Sequence, residues 1–337
     1  MNIKKVKNLL VTGGCGFIGS HFIKQQIEDN LIVNFDKLTY SANPDNLKSV
    51  TNHQNYQFIR GDIMDGDLIS KILEQYQIDY LINFAAESHV DNSIANPDDF
   101  IMTNIVGTYK LLQSANKYYQ NLNQSKQKIF RFLHVSTDEV FGSLNFDQLP
   151  FDESSKYQPN SPYSASKASS DHLVRAWCKT YNLPTIITNC SNNFGANQHH
   201  EKFIPTVIKS CLTNQKIPIY GSGKNIRDWI YVEDHCKGIA LALEKGKIGE
   251  AYLFGGDYEI TNLDLAKKIC KILDQIKPKP DGVSYSTQID FVNDRAGHDL
   301  RYAISNKKSS QQLGFAVSDN FEENLRKTIN SYLKITN

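Results

Sequence analysis

The sequence predicts an α/β fold, a doubly wound parallel sheet with a smaller, irregular C-terminal substrate domain. Three observations carry this. Through residue 191, short β-branched runs alternate with longer helical patterns, the rhythm of parallel strands joined by crossover helices. A glycine-rich turn separates the first strand from the first helix. From Asn192 onward the rhythm breaks into polar loops such as Gly195-Ala196-Asn197-Gln198 and Tyr220-Gly221-Ser222-Gly223-Lys224. The expected units are therefore 1–191 and 192–337. Residues 229–256 are expected to return to the first, because Trp229-Ile230-Tyr231-Val232 and the helix pattern Asp234 to Leu243 restore its rhythm.

The totals narrow the functional classes. A chain of 337 residues, 40% hydrophobic and 22% charged, can bury more than one core. Its 37 Lys and Arg against 36 Asp and Glu leave a net charge of +1, so no field of one sign recruits nucleic acid or an anionic membrane. Small molecules are the expected partners. The six cysteines show no C-x-x-C spacing, which suggests neither a zinc site nor a disulfide framework. The basic Met1-Asn2-Ile3-Lys4-Lys5-Val6-Lys7 precedes an apolar run too short for a signal peptide, and no run approaches a membrane span. Free thiols in a reducing, cytoplasmic setting are the expectation.

The elements follow in order. A strand, Lys7 to Thr12, runs into Gly13-Gly14-Cys15-Gly16-Phe17-Ile18-Gly19 and a helix, Phe17 to Asp29. Gly13 permits the tight turn, Gly16 lets backbone approach a pyrophosphate, and Gly19 lets helix pack on strand, with the helix N-terminus facing the phosphates. This is a Rossmann-type fingerprint. The second strand, Ile32 to Asp36, ends 20 residues after Gly16 in a carboxylate suited to the ribose 2′-hydroxyl of NAD and repellent to a 2′-phosphate. Lys37 next to it bears the other way, but NAD is favoured. Strands Tyr56 to Arg60 and Tyr80 to Ala85 deliver Asp62-Ile63 and Ala85-Ala86-Glu87-Ser88 to the edge where open sheets bind ligands. Helices fit at Asp67 to Tyr76 and Asp98 to Tyr119.

The fifth strand, Ile129 to Ser136, ends in Thr137-Asp138-Glu139. Two adjacent carboxylates after a buried run cost several kcal/mol to desolvate unless they are used. Next, Ser161 caps a helix, Pro162 to Tyr181, that begins with proline at its first position. Tyr163 and Lys167 then share one face at i and i+4. An ammonium nearby, helped by a nicotinium charge, favours the phenolate, so Tyr163 can act as a base. Thr185 to Asn189 completes the strands. An oxidising cofactor and a tyrosine base suffice to remove hydride from a carbinol. A carboxylate pair adds further proton transfers, one neutral acid for a leaving group and one base for an acidified C–H.

With the glycine fingerprint and Tyr163-x-x-x-Lys167 together, the chain resembles the extended short-chain dehydrogenase/reductase family. Ser136-Thr137-Asp138-Glu139-Val140-Phe141-Gly142 is similar to the string of its nucleoside-diphosphate-sugar 4,6-dehydratases. So are Asp36-Lys37-Leu38-Thr39-Tyr40, Cys190-Ser191-Asn192-Asn193, Glu201-Lys202-Phe203-Ile204-Pro205, Arg227-Asp228-Trp229 and Asp294-Arg295-Ala296-Gly297-His298-Asp299. The related 4-epimerases are not known for the acid pair.

The resemblance implies that Tyr163 takes the sugar 4-hydroxyl proton while hydride passes to NAD, with Thr137 holding that hydroxyl and Lys167 supporting the phenolate. Glu139 then takes the C5 proton, Asp138 protonates the leaving C6 hydroxyl, and hydride returns to C6. It implies cofactor contacts at Gly13, Gly16, Phe17, Ile18, Gly19, Asp36, Lys37, Leu38, Thr39, Asp62, Ile63, Ala85, Ala86, Ser88, Thr103, Tyr163, Lys167 and Asn193. For the substrate, dTDP-glucose or alternatively UDP-glucose, it implies Ser88, Thr137, Asn192, Lys202, Phe203, Pro218, Ile219, Tyr220, Arg227, Asn262, Arg295 and His298. It also implies a homodimer through the helices at 98–119 and 162–181. Cys15, Asn92, Asn189, Phe194 and Ala296 depart from the pattern, standing for Ala, Arg, Arg, Tyr and Pro; none removes a catalytic group.

Overall fold

The structure, a computed structural model, describes residues 6–318 and 320–335. The basic Met1 to Lys5 lies outside the described residues. The strands are β1 (Asn8–Thr12), β2 (Leu31–Asp36), β3 (Tyr56–Arg60), β4 (Tyr80–Asn83), β5 (Arg131–Thr137), β6 (Thr185–Cys190), β7 (Asn192–Phe194), β8 (Ile217–Tyr220), β9 (Ile226–Tyr231), β10 (Ala251–Phe254), β11 (Glu259–Thr261), β12 (Ile289–Val292) and β13 (Arg301–Tyr302).

Seven of them form one parallel sheet in the order β10-β6-β5-β4-β1-β2-β3. The chain winds outward through β1, β2 and β3, then returns to the other side of β1. The carboxyl ends of β1 and β4 therefore flank the switch point at which doubly wound sheets open a crevice. Strand alternation builds two cores. Leu9, Val11, Ile32, Ile82 and Leu133 face helices Phe17–Gln26 and Val232–Lys245, whereas Leu10, Val33, Phe35, Leu81 and Phe132 face helices Gly66–Gln75, Thr108–Asn121 and Pro162–Tyr181.

A second, smaller sheet centres on β9, which pairs with β7, β11 and β13; β8 and β12 form a separate parallel pair. A third core joins these strands to helices Phe203–Leu212, Asn262–Ile276 and Phe321–Ile335. Trp229 to Tyr231, expected to return to the first unit, lies in β9 of the smaller sheet, although Ile230 packs into the first core. The return is made by helix Val232–Lys245 and β10. Buried Asp228 shows why β9 stays: its carboxylate accepts from the N–H groups of Gly256 and Tyr258, both at 2.9 Å, and so ties β9 to the chain leaving β10.

The helix expected over 98–119 is interrupted. A short helix at Asp98–Phe100 passes into a seven-residue π-type segment, Ile101–Gly107, before the regular helix Thr108–Asn121. Within it, the Asn104 amide bonds both backbone groups of Glu87 and the hydroxyl of Ser166, pulling the wider turn toward the sheet edge.

Candidate active site

A cleft of about 320 Å³ opens along the carboxyl ends of β1, β2, β4, β5 and β6. Its cofactor wall is largely backbone. Gly13 has φ +71°, and a Cβ there would lie 2.7 Å from the amide nitrogen of Ala85; one on Gly19 would lie 2.5 Å from the Gly13 carbonyl oxygen. Helix Phe17–Gln26 starts at Gly16 with no side-chain cap, so its first N–H groups face the cleft unclaimed by a side chain. This cradle fits a dinucleotide diphosphate. Asp36 is buried at its end, accepting from the N–H groups of Cys15 and Leu38, both at 2.8 Å. Lys37 is ion-paired to Asp62 at 2.8 Å, which engages the cation that a 2′-phosphate would need.

Phe17, Ile18, Thr39, Ile63, Ala85, Ala86, Ser88 and Thr103 also line the cleft. Leu38 does not: its backbone takes φ 61° and its side chain packs on the first core. Asn193 lines the cleft with its amide already engaged, donating to the Ser191 carbonyl and Cys190 sulfur and meeting His235 Nδ1 at 2.9 Å.

The reactive groups sit at the end of β5. Successive side chains of a strand point to opposite faces, which would part Asp138 from Glu139. Here Asp138–Phe141 is a 3₁₀ turn, with Thr137 as its cap accepting from the Glu139 N–H at 3.3 Å, so both acids face the cleft. Asp138 is 2% exposed, and among the described residues its Oδ2 has no hydrogen-bond partner. Burial, then the charges of Glu139 and Asp228, push its carboxyl well above the ordinary range. Burial also raises Glu139, but Arg295, Lys202 and Arg227 oppose it. The acids therefore occupy different fields.

Helix Pro162–Tyr181 carries Tyr163 and Lys167 to the same wall. A reciprocal pair of bonds between Ser161 and Ser164 fixes its start. Burial and the charge of Glu139 hold the Tyr163 phenol well above its usual value. The protein's own groups thus do not give the depressed phenol expected from the Tyr–Lys spacing, because the Lys167 ammonium is directed at the Val135 carbonyl (2.8 Å) and His134 Nε2 (3.4 Å).

The opposite wall is made of single side chains from separate segments. Asn192, Lys202 and Phe203 line the cleft, and Lys202 Nζ donates across it to the Ser88 carbonyl at 2.7 Å. Arg227 and Arg295 stand behind these residues. Arg227 is buried over the Tyr302 ring and donates to the Asp299 carbonyl at 2.9 Å; Arg295 pairs with Asp91 at 3.7 Å. Tyr220 and His298 meet edge to face beyond the cleft. Pro218 precedes Tyr220 on β8, but Ile219 turns into the third core, as strand alternation requires. Asn262 opens its helix, its N–H bonded to the Asn225 carbonyl.

Sequence reasoning missed a buried network behind Lys167 formed by His134, Asp171, Tyr157 and Asn189. Its signal was available, since Asp171 extends the i, i+4 ladder of Tyr163 and Lys167 by one step.

Fold and cleft together are those of a nucleotide-sugar-modifying dehydratase, and comparison bears this out: the GDP-mannose 4,6 dehydratase family model matches residues 10–328, and the chain belongs to that family. It is 49% identical to the dTDP-glucose 4,6-dehydratase of Haemophilus influenzae, covering 97% of this chain and 98% of that protein. It is also 49% identical to dTDP-glucose 4,6-dehydratase 1 of Escherichia coli, over 97% and 93%. Among solved structures, the dTDP-glucose 4,6-dehydratase of Streptomyces venezuelae with NAD and TYD bound matches with TM-score 0.88 at 41% identity, covering 97% of each chain. The UDP-glucose 4-epimerase of Thermotoga maritima shares the architecture at 26% identity, with TM-score 0.86 over 98% of this chain and 100% of that one.

Proposed function

We propose that this chain is an NAD-retaining dTDP-glucose 4,6-dehydratase, releasing water and dTDP-4-keto-6-deoxyglucose. The observation that carries the reading is the acid pair. A buried carboxyl with one unpartnered oxygen stands beside a carboxylate that three cations oppose, both next to Thr137 and Tyr163. Oxidation and re-reduction at C4 need only the last two; elimination needs the acids.

Gly13, Gly16 and Gly19 would hold the NAD diphosphate and Asp36 its adenosine ribose. When bound, NAD supplies the hydride acceptor and donor together with the positive nicotinium charge. Tyr163 takes the proton of the sugar 4-hydroxyl, which Thr137 orients. The resulting ketone acidifies C5–H, and Glu139 removes that proton. Asp138, which burial holds toward its neutral form, gives its proton to the C6 hydroxyl, which leaves as water. Glu139 then returns a proton to C5. Lys202, Arg227 and Arg295 would face the diphosphate, and arginine's planar fork suits its oxygens.

Three further readings belong with this one. The nucleotide-sugar unit begins near Asn192, with helix Val232–Lys245 and β10 returning to the cofactor unit. Exposed Ile101, Met102 and Tyr181 support a homodimer through the helices at 98–119 and 162–181. Six free thiols support a cytoplasmic setting.

The test is a panel of dTDP-, UDP-, CDP- and GDP-glucose compared by kcat/KM in deuterated water. The reading expects the highest value for dTDP-glucose and a product one water lighter, with deuterium at C5. An unchanged mass with inversion at C4 would make the protein an epimerase.

A further inference from the structure

Behind the oxidising pair runs a buried, directional chain of hydrogen bonds. The Ala85 N–H donates to the Thr12 hydroxyl oxygen (3.4 Å), so that hydroxyl gives its proton to Asn83 Oδ1 (2.6 Å). The other end of the Asn83 amide, Nδ2, then donates to His134 Nδ1 (3.1 Å). A neutral imidazole so held carries its proton on Nε2. That nitrogen points to the Ser170 hydroxyl (3.1 Å) and to Asp171 Oδ1 (3.5 Å), an oxygen with no hydrogen bond of its own. The second oxygen of Asp171 accepts from Ser136 (2.8 Å), Tyr157 (2.9 Å) and Asn189 (3.3 Å), all neutral donors. Asn189 is one of the departures noted in the sequence, an amide where an arginine was expected.

Asp171 is thus a carboxylate 1% exposed, and among the described residues no guanidinium or ammonium is bonded to it. Such a charge is costly unless something uses it. On the same helix face, Lys167 is an ammonium 3% exposed that donates to the Val135 carbonyl (2.8 Å); its Nζ lies 3.4 Å from His134 Nε2, a contact and not a hydrogen bond, because that nitrogen carries the imidazole proton. The two charges share His134 between them.

We propose that Asp171 is a positioning residue for the oxidation step: acting across His134 it is the counter-charge that keeps Lys167 protonated beside Tyr163, and so sets the upper pH limit of that step. The inference rests on the reading of Tyr163 and Lys167 as the oxidising pair. Electrostatics agree with the geometry. Burial pulls the Lys167 ammonium down, and Asp171 is the strongest influence holding it up. Asp171 itself is pushed up to about 6 by burial, with Lys167 the strongest opposing influence, so it is ionised above that pH. The other titratable groups facing the pair are His134 on β5, which burial and Lys167 keep neutral, Cys190 on β6, Tyr157 from the preceding loop, and Arg175 one turn further along the helix.

The sign follows. Without the Asp171 charge, Lys167 loses its proton at lower pH. In single-turnover oxidation followed by NADH absorbance, Asp171→Asn is expected to move the alkaline limb down by about one pH unit, with bound NAD and the KM for dTDP-glucose unchanged, and Asp171→Glu to restore it in part. A folded, NAD-bound Asp171→Asn protein with the wild-type limb overturns the proposal. If that variant does not fold, Asp171→Ser, which also removes the charge, decides: its alkaline limb moves down as for Asp171→Asn, and a wild-type limb overturns the proposal. Tyr163→Phe separates the two levels, because oxidation surviving that change would remove the underlying reading rather than the role of Asp171 alone.

Discussion

The two walls of the cleft are built on different principles. The cofactor wall is contiguous chain at strand ends: glycines without side chains, a helix start without a cap, and one carboxylate fixed by two backbone N–H groups. The substrate wall is assembled from long side chains that come singly from distant segments and are already bonded to protein oxygens, Lys202 to Ser88, Arg227 to Asp299, Arg295 to Asp91. A pre-formed wall holds its ligand without rearrangement. The other must exchange protein partners for phosphate, which suits a cofactor that stays and a substrate that turns over.

The acids stand between the walls, and their substitution has the largest expected effect. Glu139→Gln is expected to lower dehydration by about 10²–10⁴-fold, abolishing deuterium entry at C5 while NADH still forms on mixing with substrate. If that variant dehydrates at the wild-type rate, the acids do not divide the work as stated. Asp138→Asn is expected to cost about 10²-fold and to change the pH profile of turnover. Because the Asp138 carboxyl is raised, its proton persists to higher pH than that of an ordinary carboxyl and is lost as pH climbs through the raised value; the variant should lack that decline.

Smaller effects sharpen the contrast between the walls. Lys202→Ala should raise KM for the nucleotide sugar by about 10–100-fold, the worth of a charge-assisted bond, with kcat within a few-fold and retained NAD unchanged. A comparable loss of NAD would mean that the walls are not separable. Asp62→Ala frees Lys37 from its pair. Retained cofactor, identified after denaturation, should then shift toward NADP by about tenfold relative to NAD, with Asp36 still limiting the change.

Much of the cofactor wall could be read from sequence because its logic is local. Glycine spacing, the end of β2 and the capping of helix Pro162–Tyr181 depend on neighbours a few residues away, and Tyr163 and Lys167 share a face through helical periodicity alone. Where the reading strayed, tertiary packing had overruled local pattern. The helix over 98–119 opened into a π-type segment because Asn104 reaches Glu87 and Ser166. Trp229 to Tyr231 stayed in the smaller sheet through Asp228, and Ile219 was turned into a core by its place on β8.

The sequence by itself determined which chemical groups stand at the sheet edge: the glycine cradle, Asp36, Thr137, the adjacent acids, and the Tyr163–Lys167 pair. Only the tertiary structure decided what state those groups are in. Adjacent carboxylates differ because one is sealed from water while Lys202, Arg227 and Arg295 converge on the other from segments 60 to 160 residues away. Lys167 faces, across a histidine, a carboxylate whose place on the i, i+4 ladder was legible but whose burial was not. Periodicity is a property of neighbouring residues, whereas desolvation and electric field belong to whatever the fold brings within a few ångströms.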